Sequence, residues 1–479
     1  MSEFDVIVVG GGGAGLAAAS EAASLGRKTV LLEKENALGG STAWSVGSIS
    51  ATNTPHQRAK GIIDHPDAHF EDLDVLAGSK RNRDNLALRR VLVDNATDAL
   101  RWLESAGLVF AGPNPEPPHR LPRMHNVLPN SKAFPHALGR HCRKLGVEIR
   151  LNAEADQLLT EADRVIGVRV RCVSGGHERL FARGGVVLAG GDFSASNELK
   201  GELAGPDVAA LAAVNPAATG KAIELARQLG ATVINGDIVR GPIMRFIPPQ
   251  RENLLRRLPP NRRLASAMRW GMDNLPATIQ RRFAMGFLTT ALGPAKELFE
   301  EGAILVNRRG ERFCSELDLP GHEVARQEGN EAFIVLDHKL AGKFTAWPYF
   351  ISTAPGIAYA YLDDYRRNRR DIFHVGKDAA ELARETGMQM GALERTLLEW
   401  GRDGDHSPTA PYIALGPVKS YVVFTDGGLR ITERFEVVGP HDQPIGGLFA
   451  AGSTGQGGLI LEGHGHHLGW AFVSGRLAG

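Results

Sequence analysis

Residues 4–33 read FDVIVVGGGGAGLAAASEAASLGRKTVLLE, and no other stretch restricts the fold as tightly. Phe4 to Val9 is a short apolar, β-branched run, the pattern of a buried parallel strand. Gly10, Gly12 and Gly15 then fall in GxGxxG spacing, with Gly13 and Ala14 between them. An Ala-rich helix ends at Gly26, and a second strand, TVLLEK, carries Glu33 and Lys34 at its end. One glycine turns sharply, the next admits a pyrophosphate to the backbone, and the third lets helix and strand pack. The helix N-terminus adds free N–H groups and a positive dipole end. Glu33 is placed to accept hydrogen bonds from a ribose, and an acid there disfavours a 2′-phosphate. The stretch predicts a dinucleotide-binding βαβ unit.

The remaining composition narrows the setting. At 479 residues the chain is too long for one compact core. Its 57 glycines cluster at both ends, where the backbone is expected to approach a ligand closely. A net charge of +1 gives no footprint for nucleic acid. Cys142, Cys172 and Cys314 form no CxxC pair, which argues against iron–sulfur clusters, structural zinc, haem attachment and disulfides. A reduced, cytoplasmic location is expected, since the N-terminus lacks a leader pattern. No apolar run approaches the roughly 18–20 residues that span a bilayer.

After Glu33 comes KENALGGSTAWSVGSI, with Gly39-Gly40 and a small-residue run containing Ser41, Thr42, Ser45, Gly47 and Ser48. This stretch resembles the fumarate reductase/succinate dehydrogenase flavoprotein superfamily. The likeness is closer to its 3-ketosteroid dehydrogenase branch, which has a GGTTAYSGGSI-like run here. The resemblance covers nearly the whole chain and implies an α/β fold: a Rossmann-like FAD domain of the glutathione-reductase type with an inserted α+β cap. The expected bounds are 1–237 and 417–479 for the FAD domain and 238–416 for the cap. It also implies that the segment wraps the FAD pyrophosphate and runs beneath the isoalloxazine. Ser41 stands where covalent members have histidine, so FAD is expected to be noncovalent. Ala155, Ala189, Gly190, Gly191, Gly452, Gly469, Trp470 and Ala471 join the expected cofactor set. In NPAATGKAIELARQLGA, similar to a further family segment, Lys221 and Ala222 replace Asp and Gly, so no role is carried over there. The family's last helix starts over the flavin, where its N–H groups stabilise charge on the reduced ring.

Two catalytic sets occur in the superfamily. Fumarate reductases hold a dicarboxylate with a histidine before T-x-G-G and an arginine before the last helix, and a further arginine donates the proton. Here Phe424 precedes TDGG, the loop GLILEGHG has no arginine, and VLDHKLAGK offers only lysines and His338. Fumarate reduction is therefore not expected. The ketosteroid pattern GxGxxxGxA matches Gly463, Gly465, Gly469 and Ala471. By that resemblance the Gly465 N–H polarises a substrate ketone, whereas the tyrosine position is Leu461. Glu462, His464, His466, Tyr349 and His125 are the remaining catalytic candidates, an imidazole of near-neutral pKa suiting either base or electrophile. The expected reaction is desaturation beside the carbonyl of a hydrophobic cyclic ketone, with hydride passing to flavin N5. The alternatives are an ene-reductase acting on a non-dicarboxylate alkene and a flavin-holding subunit that needs a partner. Electrons would leave through an external acceptor, a quinone or redox protein. Arg240, Arg245, Arg251, Arg256, Arg257, Arg262, Arg263 and Arg269 read either as a solvated cap surface or as a basic lid for an anionic substrate or peripheral membrane contact. His464, His466 and His467 diverge at a helix start and lack an HExxH frame, so no metal is expected.

Overall fold

The computed structural model describes residues 2–172, 175–249, 258–276, 281, 285, 289, 292–354, 358–401 and 408–479. Arg251, Arg256 and Arg257 of the basic run lie outside them. Two compact units emerge. The first comprises residues 1–240, 259–273 and 423–479, and the second comprises 241–258 and 274–422.

The first unit is built on strands β1 (Ser2–Val9), β2 (Thr29–Leu32), β3 (Ser48–Ser50), β4 (Val109–Asn114), β5 (Met124–Leu128), β6 (Glu148–Arg150), β7 (Glu154–Glu161), β8 (Arg164–Arg171), β9 (His177–Leu188), β10 (Glu436–Val438) and β11 (Pro444–Ala450). The main sheet runs β10-β11-β8-β9-β1-β2-β6, with β7 on β8 and β11 also beside β9. Val9 of β1 lies opposite Leu32 of β2 and Leu188 of β9, all parallel, and Ala450 of β11 lies opposite Leu188. Four strands thus end together at one sheet edge, the place where open α/β sheets bind ligands. Helices α1 (Gly13–Ser24), α2 (Leu86–Ser105), α3 (Ala133–Lys144), α4 (Arg262–Asn274) and α5 (His466–Ala478) belong to this unit. The core joins Ile7, Val8 and Leu31 of the sheet to Leu16 of α1 and Trp470 of α5. Helix α5 packs so closely on α1 that a Cβ at Gly475 would stand 2.4 Å from the Ala14 carbonyl oxygen.

The cap was expected to be continuous from 238 to 416. Instead residues 259–273 join the FAD unit, and the division falls at 240/241 and 422/423. The physical reason is that Ala265 of α4 buries against Ala111 and Leu128 of the β4–β5 hairpin. In the second unit, Ala332–Leu336 pairs antiparallel with Ile304–Asn307 and Tyr412–Val422. Ile243–Phe246 and Phe373–Gly376 also pair with Tyr412–Val422. One apolar cluster gathers Leu340, Phe344 and Tyr365, and another gathers Leu382, Leu393 and Trp400. Among the described residues no helix is long and apolar enough to cross a membrane.

Candidate functional site

A cleft opens where β1, β2, β9 and β11 end. Gly10, Gly12, Gly13, Ala14, Glu33, Lys34, Gly40, Ser41, Thr42, Ala155, Ala189, Gly190, Gly191, Gly452 and Ala471 all line it. Its empty volume, solvent at the mouth included, is ≈ 950 Å³, at the large end for cofactor sites. The glycine spacing has a direct steric meaning here. A Cβ at Gly10 would stand 2.4 Å from the Ala189 oxygen, and one at Gly15 would stand 1.8 Å from the Gly10 oxygen. At Gly12 the nearest atom to a Cβ is 3.9 Å away, so that position borders space a ligand can fill. Glu33 is buried, and its Oε2 accepts the Gly11 N–H at 2.6 Å while Oε1 accepts that of Glu35 at 2.9 Å. Burial raises its carboxyl, and the Glu35 and Gly11 N–H groups oppose that rise. Each oxygen keeps a lone pair for a ribose hydroxyl. An open glycine turn beside a fixed acid fits the ADP half of FAD.

Other predicted cofactor residues stand behind the lining. Gly15 closes the helix–strand contact, and Gly39 donates its N–H to the Gly11 oxygen at 2.9 Å. Ser45 Oγ accepts from the Gly47 N–H at 3.1 Å, and Ser48 Oγ accepts from Asn126 at 2.7 Å. Gly469 donates its N–H to the Gly465 oxygen within α5. Trp470 is fully buried and donates to the Gly452 and Gly455 oxygens at 3.2 and 3.3 Å. The sequence reading missed Asn215, Ala217, Thr219, Lys221 and Ser453, which also line the cleft. Asn215 donates to Ser41 Oγ at 2.9 Å, and Lys34 Nζ donates to Thr219 Oγ1 at 2.8 Å. The signal was the NPAATGK segment, set aside because Lys221 and Ala222 depart from the family pattern.

The loop before α5 holds most of the catalytic candidates, and each has a partner. Gly465 caps α5 at φ +91°, and a Cβ there would stand 2.6 Å from the Ser50 nitrogen. Ser50 Oγ donates to the His464 oxygen at 2.9 Å, tying the loop to β3. His464 is exposed and turns to Glu116, whose Oε1 lies 2.6 Å from its backbone nitrogen and 2.5 Å from Nδ1. Burial pushes the Glu116 carboxyl up, but the His464 contacts outweigh it and hold the group below its usual range. Glu462 is ion-paired with Lys80 at 2.7 Å and with Arg240. The Arg240 guanidinium lies over the Phe424 ring, and that ring packs on His467, centroids 3.9 Å apart. His467 in turn faces Asp426 at 3.3 Å. His466 is buried, and burial drives its imidazole down to about 3.

The other candidates belong to other elements. His125 is buried in β5, with Nε2 3.1 Å from Thr54 Oγ1 and its ring 5.3 Å from His56; burial lowers it to about 4. Tyr349 belongs to the second unit and packs on Phe344, centroids 5.6 Å apart, with Lys343 over its ring. The described part of the basic run is divided between the two units. Arg240 and Arg269 belong to the first unit, Arg269 reaching His56 Nδ1 at 3.0 Å, whereas Arg245 belongs to the second.

Comparison with known proteins agrees with the cleft. A family model described as FAD binding domain matches residues 5–244 and 285–460. An NADH:fumarate oxidoreductase of Klebsiella pneumoniae (strain 342) is 28% identical over 465 residues, 94% of this chain; the match spans only 44% of that protein's own length. A vinyl phenol reductase of Lactiplantibacillus plantarum (strain ATCC BAA-793 / NCIMB 8826 / WCFS1) is 26% identical over 99% of this chain and 95% of its own. Among solved structures, the open conformation of a flavocytochrome c3 fumarate reductase aligns with TM-score 0.74 at 23% identity, over 100% of this chain and 77% of its own. A 3-ketosteroid Δ1-dehydrogenase from Sterolibacterium denitrificans aligns with TM-score 0.66 at 19% identity, over 100% of this chain and 99% of its own. These two likenesses concern the fold. With the glycine turn, the buried acid and the four converging strand ends, the family match makes the chain a member of the FAD binding domain family, a flavoprotein oxidoreductase of the fumarate reductase superfamily that uses FAD.

Proposed function

We propose that the chain is a flavin-dependent ene-reductase for an alkene conjugated to a planar ring, not for a small dicarboxylate. The observation that carries this is the loop before α5. Lys80 and Arg240, which reach it, are both engaged by Glu462. The position that resembles the substrate histidine of fumarate reductases is Phe424, whose ring packs at a tilt on His467 and lies beneath Arg240. A guanidinium that already shares a carboxylate is a weaker clamp for a second one, whereas an aromatic pair offers face and edge contacts to a ring. Named relatives include a vinyl phenol reductase and a urocanate reductase, whose substrates by name are ring-bearing alkenes.

Bound FAD supplies a hydride donor and acceptor at one ring position. The chain's own part begins with Glu33 and the Gly10–Gly15 turn, which hold the nucleotide. Gly465 and the start of α5 would offer backbone N–H groups and a positive dipole end to negative charge developing on the bound ring. Asp426, accepting from Gln456 at 3.0 Å, holds the His467 ring against Phe424. In this reading an external redox partner, a quinone or a redox protein, completes each cycle.

A second reading, desaturation of a cyclic ketone, is favoured by Gly463, Gly465, Gly469 and Ala471 in the ketosteroid spacing. Steady-state assays with a reduced viologen dye as electron donor test the first. 4-Vinylphenol or urocanate should oxidise the dye, fumarate should not, and Phe424→Ala should weaken ring substrates by roughly tenfold, the worth of one aromatic contact. Dye oxidation by fumarate alone would overturn the proposal.

A further inference from the structure

Outside the cofactor cleft, three histidines from distant parts of the sequence meet in the first unit. His69 comes from the helix Pro66–Ala77, His119 from the loop before β5, and His466 opens α5. One ring nitrogen of each lies within 4.8 Å of the other two. The ring centroids stand 5.2 to 5.5 Å apart, and all three side chains are buried.

The hydrogen bonds fix the tautomer of one of the three rings. His466 Nδ1 donates to the Glu462 carbonyl at 2.6 Å, so its lone pair is on Nε2, which faces His69 Nε2 at 3.0 Å. A backbone carbonyl fixing the tautomer in this way is the support that metal-binding histidines have. His119 Nε2 and His69 Nδ1 are buried without a hydrogen-bond partner, and so is Glu116 Oε2. An unpaired buried nitrogen such as His119 Nε2 is costly unless something occupies the space it faces.

We propose that His69, His119 and His466 form a binding site for one divalent transition-metal cation of the zinc class. Zn–N bonds of about 2.0–2.1 Å in a tetrahedral set need only a slight opening of the observed 3.0 Å pair. Burial holds His69 and His119 below their usual range and His466 at about 3, and neutral imidazole is the ligating form. The groups facing the cluster are compatible with this. Arg123 is the near cation, and it is paired with Asp64 and Asp72. Arg123 donates to His119 Nδ1 at 3.0 Å, which leaves that ring's proton on Nε2; ligation through Nε2 requires the proton to move to Nδ1 and Arg123 Nη1 to turn wholly to Asp72, whose Oδ2 lies 3.7 Å from Nδ1. Glu116 is the nearby carboxylate that can complete the shell or orient a water. Of the HxHH run only His466 takes part, since His464 is held by Glu116 and His467 by Asp426. The cation staples the first turn of α5 to the helix Pro66–Ala77.

The full-length, FAD-loaded protein is stripped with chelator and dialysed against ZnCl₂, and bound metal is counted by mass spectrometry. About one Zn²⁺ per chain is expected, with X-ray absorption showing three imidazole ligands at about 2.0–2.1 Å. His69→Gln and His119→Gln should each weaken uptake at least about tenfold, while His177→Gln, at an exposed histidine paired with Asp156, should leave it intact. Retained FAD checks the fold of each variant; if a variant loses FAD, the absorption spectrum of the unaltered protein decides. Negligible uptake, an all-oxygen shell, or unchanged uptake in both cluster variants would overturn the site.

Discussion

Glu33 shows how much one residue can carry. It takes the Gly11 and Glu35 N–H groups through separate oxygens, so it braces the glycine turn and leaves lone pairs for the ribose. Glu33→Gln turns one acceptor into a donor facing an N–H. We expect FAD to bind about 10–100-fold more weakly, the worth of a charged hydrogen bond, as read by fluorescence titration of apoprotein. The place of Glu33 beside the glycine turn was legible because it depends on spacing within one βαβ unit. Glu462 and His464 were not, because their partners are far away in sequence. Lys80 and Arg240 reach Glu462 across 382 and 222 positions, and Glu116 reaches His464 across 348. No local pattern encodes such pairings, so side chains that look like free bases turn out to be committed.

Helix α5 closes the discontinuous unit onto α1, and glycine makes that contact close. Gly475→Val would drive a side chain into the Ala14 carbonyl, so Tm should fall and FAD should be lost together. Gly391→Ala is the contrast: its Cβ meets only the end of the Arg395 side chain, 3.9 Å away, and Tm should hold or rise slightly. The histidines also set a pH dependence. His125 and His466 titrate near 4 and 3 in the folded chain, against about 6.5 unfolded. The unfolded state therefore binds more protons below about pH 6.5, and stability present above that value is lost as pH falls. Between pH 7.5 and 5 His125 alone accounts for about 2 kcal/mol. Urea unfolding at the two values should show the loss, and His125→Asn should flatten it.

At the scale of the whole molecule, the α/β class, the discontinuous FAD unit and the inserted unit were readable from the two ends of the chain. The assignment of α4 to the FAD unit was not. Its arginines look like a solvated cap surface, and only the burial of Ala265 against Ala111 and Leu128 reveals where it packs. The direction of the reaction is likewise a property of the whole molecule, set by flavin, substrate and redox partner together. It is tested most directly by an anaerobic single-turnover experiment on the purified flavoprotein. The chemically reduced protein is mixed with 4-vinylphenol, with urocanate or with fumarate, and the oxidised-flavin absorbance is followed. Our account predicts rapid return of the oxidised band with a ring-conjugated alkene and none with fumarate. Return with fumarate alone, or bleaching of the oxidised protein by a cyclic ketone with no reoxidation by any alkene, would contradict it.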